Sequence, residues 1–307
     1  MHVKILGSAA GGGFPQWNCG CRNCRSVRAG NFPGKARTQA QLAVSADGTS
    51  WFLLGASPDL GRQIENTAEL QPGDGVRHSP ISGAVLASAD LDHVLGLLLL
   101  RELQPLQVYA TPSVLNILRE HNSMFRMLNR VPNQVVYNSI QPGKSFSLGT
   151  PSGEDSGLKC TGLSLGTRYP SYVVGDANLV PSEALLGLVL ESHSGGKLVY
   201  APAVPELTES LLAQLEAANV ILLDGTFWSE DELIRVQGSG QSAKEMGHVP
   251  VGAPEGSLHA LRKLRRPRKI YIHVNNTNPM LDESGPEFGA VREAGWEIAE
   301  DGWQLTL

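Results

Sequence analysis

Apolar residues along the chain fall into short runs of strand length, separated by turn residues. Val, Ile and Leu concentrate at 2–6, 41–46, 51–54, 83–87, 107–109, 187–191, 197–200, 220–224 and 269–273, and each run predicts a β-strand. Between them, 58–68, 94–101, 113–120, 204–216, 254–264 and 286–294 predict helices, several opening on Ser, Pro or Asp at cap positions. Strand runs alternating with helix runs predict an α/β or α+β class. The one linker-like segment is the polar stretch 151–157, and apolar strands resume on both sides of it. It is therefore expected to be a surface loop within one domain spanning 1–307. The basic run 262–269 reads most simply as a solvated helix end.

Composition narrows this little. At 307 residues, 41% hydrophobic and 18% charged, the chain can bury a sizeable core. A net charge of −5 gives no reason to expect nucleic acid or an anionic membrane as the main partner. The longest apolar run, 94–100, is too short to span a bilayer. Residues 1–6 resemble a strand rather than a signal peptide, so a cytoplasmic protein is expected.

The chemistry sits where strands end. Ser88-Ala89-Asp90-Leu91-Asp92-His93 follows one predicted strand and precedes a predicted helix. If that segment is extended, Asp90 and Asp92 point to one side. Two carboxylates and an imidazole within four residues suit a divalent metal. Capping of the helix by Asp90 or Asp92, with His93 packed beneath, fits the spacing equally well. Asp224 ends an apolar strand before a Gly turn, where it serves either as a ligand or as a helix cap. His273 ends another strand before Asn275-Asn276-Thr277-Asn278-Pro279, and is read as a ligand or as a satisfied core histidine. His248, after Gly247, is an acid, a base or a substrate contact, or simply holds a backbone carbonyl.

Four cysteines are present, three of them as Cys19-Gly20-Cys21-Arg22-Asn23-Cys24. Three thiolates within six residues supply most of a tetrahedral structural zinc site, with a fourth ligand from elsewhere. The alternative is one reactive thiol with two bystanders. The preceding Gly11-Gly12-Gly13 lacks the glycine spacing and the Lys-Ser/Thr of a phosphate-binding loop, and reads as a turn shaping a pocket.

Residues 88–93 resemble the His-x-His-x-Asp-His signature of the metallo-β-lactamase superfamily, with Ser88 and Asp90 standing where histidines are usual. With 7–17, the cysteine cluster, 223–228 and 273–279, they resemble the coenzyme PQQ synthesis protein B family over nearly the whole chain. The resemblance implies a four-layer αββα metallo-β-lactamase sandwich. It also implies iron- and oxygen-dependent hydroxylation of the tyrosine of a Glu–Tyr-derived precursor in pyrroloquinoline quinone (PQQ) synthesis. The runner-up is carriage of the quinone, or of a precursor, toward the periplasm. Loss of two histidines disfavours hydrolysis at a dinuclear zinc site and favours one iron(II), held by His93 and His273 with carboxylates from Asp90, Asp92 and Asp224. His248 and Asp92 are the catalytic candidates, and Ser88 and Trp17 the substrate contacts. The Gly247-His248 segment is similar to that of phosphodiesterase-like superfamily members. In a related branch a histidine completes the zinc site at the place of Asn276, which makes Asn276 a candidate fourth ligand. The implied partner is a small peptide-derived or quinone substrate. No membrane insertion is expected, and a homodimer is left open.

Overall fold

The computed structural model describes residues 1–173, 178–252 and 254–307, and the chain divides into two compact units. The first comprises Met1–Leu6, Gln41–Lys197 and Gly302–Leu307, and the second Gly7–Ala40 and Leu198–Asp301.

In the first unit, β1 (His2–Gly7), β2 (Gln41–Ser45), β3 (Trp51–Leu54), β4 (Ile81–Val85), β5 (Leu106–Ala110) and β6 (Val135–Ser139) form one sheet in that order. The C-terminal strand Gln304–Thr306 pairs antiparallel with β1 at the open edge. β3 to β6 run parallel. Parallel neighbours need crossovers, and the helix Pro112–Arg119 lies between β5 and β6. Its N-cap Thr111 accepts from Val114 N–H, and its apolar side is buried. β7 (Ser145–Gly149), β8 (Asp155–Gly166) and β9 (Leu185–Ser192) form an antiparallel set.

The second unit is built on β10 (Lys197–Ala201), β11 (Val220–Asp224), β12 (Arg268–Ile272) and β13 (Glu297–Ile298), all parallel. β11 is buried along its whole length, which is why it reads as a continuous apolar run rather than an alternation. The helices Glu209–Ala217 and Pro286–Glu293 connect these strands. Parallel strands gather their carboxyl ends on one side, and the crevice there is where such sheets place ligands.

Several expected boundaries move. The first helical turn after β4 is Leu91–Val94, continued by a 3-10 segment Leu95–Leu100, so 88–93 is not one extended stretch. Asp90 is the N-cap residue, without a side-chain capping bond, and Asp92 and His93 lie in the turn itself. A helix turn places adjacent side chains about 100° apart, which replaces the expected alternation. The helix predicted at 254–264 shrinks to Ser257–Ala260, and the one at 204–216 begins only at Glu209. The polar stretch 151–157 straddles the β7–β8 turn and the first residues of β8.

Candidate metal centres

In the first unit, Ser88 is fully buried and binds both acid and base of its motif. Its hydroxyl lies 2.7 Å from Asp90 Oδ2 and 3.0 Å from His93 Nδ1. His93 is buried, and its carbonyl accepts from Ala56 N–H at 2.7 Å, which locks the turn to the strand system beside it. Ser88, Asp90 and His93 thus form one connected group, with Asp92 on the same turn and half-buried.

In the second unit the carboxyl ends of two strands bring together buried carboxylate and imidazole groups. Asp224, last in β11, is fully buried. His273 follows β12 directly with φ of 60°, a left-handed conformation uncommon outside glycine. His248 reaches the same place from a loop. Asp224, His248 and His273 each offer a donor atom, all within 4.8 Å of one another. The two imidazoles lie 5.7 Å apart and nearly parallel, and Phe227 meets His248 edge-on at 5.7 Å. Burial by itself would raise the Asp224 pKa, but the neighbouring imidazoles, His248 above all, and the Thr226 hydroxyl hold it below the ordinary aspartate value.

The three clustered cysteines lie close together. Cys21 is the N-cap of the helix Arg22–Arg28, and its sulfur accepts from Cys24 N–H, while Cys19 Sγ accepts from Cys21 N–H. Arg28 donates to the carbonyls of Cys19 and Gln16, tying the loop to the helix end. The Asn276 amide nitrogen lies 3.1, 3.6 and 3.3 Å from the sulfurs of Cys19, Cys21 and Cys24. Burial pushes the Cys24 thiol up to about 12. Burial also raises Cys19, but hydrogen bonds led by the Cys21 N–H outweigh it and bring that thiol below its usual value. Three sulfurs within 4.8 Å, supported by backbone N–H donors, are a donor set that fits a thiophilic ion such as zinc. Trp17, by contrast, is 84% exposed.

Residues that the sequence did not single out hold these groups in place. Thr226 bonds Asp224 and His273, and Asn278 Nδ2 donates to the carbonyls of Gly225 and Thr226. Glu232 is buried between Trp228 N–H and the Thr277 hydroxyl. Gly225 is required by close approach. A Cβ there would meet Met280 Cε and Tyr271 Cβ at 2.9 Å.

The sequence model of the family described as Beta-lactamase superfamily domain matches residues 50–274, which places the chain in the metallo-β-lactamase superfamily with its α/β fold. Coenzyme PQQ synthesis protein B of Methylococcus capsulatus is 42% identical, and that of Pseudomonas putida 40%, each over the whole of both chains. The crystal structure of Zn2+-bound PqqB from Methylobacterium extorquens is 38% identical, with a TM-score of 0.91 over the whole of both chains. The chain belongs to the coenzyme PQQ synthesis protein B family. A diphosphatase of the PhnP family, 17% identical with a TM-score of 0.68 over 99% of this chain and 96% of its own, shares the fold. Among the described residues no helix is long and apolar enough to cross a membrane.

Proposed function

We propose that this chain hydroxylates the tyrosine ring of a small Glu–Tyr-derived precursor in PQQ synthesis, with iron(II) as the active metal and zinc at the cysteines. The observation that carries this is the donor chemistry. Ser88 and Asp90 replace two imidazoles of the superfamily signature, and the imidazoles and carboxylates that remain suit a non-haem iron centre better than a dinuclear zinc hydrolase. The ligand roles of Asp90, Asp92 and His93 are taken from their motif. Those of Asp224 and His273 rest on strand-end position and on their convergence with His248. Iron(II), when bound, supplies open coordination positions and one-electron chemistry.

The chain's own residues position and move protons. His248, hydrogen-bonded through Nδ1 to Asp224, is the group for proton transfer at the phenol. Asp92 is kept as its acidic counterpart, and Trp17 and Ser88 as substrate-side residues. For each ring hydroxylated, one oxygen atom of O2 enters the ring. The other leaves as water, using two electrons and two protons from an external reductant. Zinc at Cys19, Cys21 and Cys24, with Asn276 at the fourth corner, is structural. The zinc of the Methylobacterium extorquens relative supports metal in this chain.

The test is metal analysis of anaerobically purified protein together with oxygen uptake on the Glu–Tyr-derived peptide, for wild type and His93→Ala. The variant is expected to lose iron and hydroxylation while keeping its zinc. Normal hydroxylation by His93→Ala would show that this motif is not the reaction centre. Tight quinone binding without turnover in the wild type would favour the carrier role instead.

A further inference from the structure

We infer that the cavity beside His248 holds the substrate by the amino-acid end of its tyrosine, with Lys244 pairing the carboxylate and Glu230 and Glu255 receiving the ammonium. These three are specificity-determining residues. The inference rests on the reading of His248 as the proton-transfer group at the phenol. It deepens that reading by assigning what grips the other end of the molecule.

The cavity has a volume of about 530 Å³, within the range of small-molecule sites, and its lining belongs wholly to the second unit. Pro205 and Pro250 give it an apolar wall against which an aromatic ring can lie. His248, only 8% exposed, meets the cavity at a buried place, whereas Lys244 and Glu255 are exposed. The lining therefore grades from an imidazole inside to fixed charges at the mouth. A phenol ring with a zwitterionic tail has the same gradient, ring inward and charges outward. One cation and two anions suit a ligand that carries both signs, since each charge of the ligand then meets its opposite and neither is left unpaired.

The backbone fixes where these groups stand. Ala243 N–H donates to the Glu230 carbonyl at 2.9 Å, and Lys244 N–H donates to Glu230 Oε1 at 3.1 Å. Gly247 N–H donates to the Lys244 carbonyl at 3.0 Å, and His248 N–H to the Ala243 carbonyl at 2.9 Å. The turn 243–248 thus closes on itself and holds Lys244 and His248 in a set relationship. Its closure uses the left-handed φ of 89° at Gly247. Ser257 N–H donates to the Pro250 carbonyl at 2.9 Å, which closes the loop that carries Glu255. Among the described residues Lys244 and Glu255 enter no ion pair, so their charges are open to a ligand. A site whose backbone is already set loses little further freedom on binding.

The test is a ligand-observed NMR titration of the full-length, zinc-loaded protein, in which no turnover occurs because zinc has no redox chemistry. The probes are L-tyrosine, tyrosinamide and N-acetyl-L-tyrosine. Blocking either charge is expected to weaken binding to wild type roughly threefold to tenfold, the size of a partly exposed charged contact. Lys244→Met should weaken L-tyrosine by a similar factor and leave tyrosinamide unchanged, and Lys244→Arg should keep most of the wild-type affinity. The double variant Glu230→Gln/Glu255→Gln should bind L-tyrosine and N-acetyl-L-tyrosine alike. Neither the Lys244 N–H nor an acceptor oxygen at 230 is lost in these variants, so the turn keeps its bonds. Equal weakening of L-tyrosine and tyrosinamide by Lys244→Met would show that the side chain acts on the turn and not on a carboxylate, and would overturn the inference. Wild type that fails to bind L-tyrosine, or binds all three probes alike, would overturn it too. A chain that discriminates in this way yet hydroxylates nothing loses the proposed activity and keeps this assignment. Hydroxylation without the discrimination does the reverse.

Discussion

The hydroxyl of Thr277 donates to Glu232 Oε1 at 2.5 Å, inside the protein, while Trp228 N–H donates to Oε2 at 2.6 Å. Burial pushes the Glu232 carboxyl up to about 7, and these two bonds offset only part of that. In the unfolded chain the same group titrates near 4.5. The folded form therefore holds its proton more tightly, and the stability this gives is complete below the unfolded value and lost as pH rises through about 7.

Glu232→Gln keeps the shape and a neutral head. The stability of wild type relative to this variant should fall between about pH 5 and about pH 8, by roughly 3 kcal/mol at full ionisation. Parallel urea titrations of the two proteins across that range measure it. A difference that stays flat with pH would refute the titration of Glu232 in the folded state.

Cys21→Ser should remove about one equivalent of zinc and lower the melting temperature, because structural zinc binding contributes directly to folding. The raised Cys24 thiol makes a second consequence measurable: loading must release its proton, so zinc affinity should climb with pH. Metal analysis and competition with a chelator at several pH values give both answers. Full zinc retention at unchanged stability would show that these thiols do not form the site.

We also propose that 1–307 unfolds as one domain. The first unit is assembled from three chain segments and the second from two, so the backbone passes between them at 6/7, 40/41, 197/198 and 301/302. No single cut frees either unit. Limited proteolysis near Ser152 should leave a nicked protein that melts in one transition. Release of two stable halves would contradict this.

The placement of the strand-end candidates was legible because its signal is local. Asp224 closes a run of apolar residues, and His273 follows another, so both read directly as side chains delivered by buried strands. The thiol cluster was legible by spacing alone. The helix starting at Arg22 was not, since Cys21 supplies a cap that is seldom made by sulfur. β8 was missed because glycines at 157 and 162 and half-buried polar positions blur its alternation. Thr226, Glu232 and Thr277 were invisible for a different reason. Each is an ordinary polar residue in a turn or at a helix start, and each has a partner 45 or 47 residues away. The misread extended conformation of 88–93 came from treating a strand end as a strand, where the chain had already begun to turn.

His273 and Asn276 stand three positions apart, the first facing His248 and the second seated among the sulfurs. The segment that joins them is short, and it is pinned at both ends by Thr226 and Asn23. If the proposed ions occupy the two places, this shared strap couples their loading to the extent that it orders further when either one binds. Whatever ordering of this strap one ion brings about, the other inherits, and equilibrium thermodynamics requires the favour to be returned by the same factor. The order in which the metals are supplied to the newly made chain would then change the route of maturation and leave its end point the same.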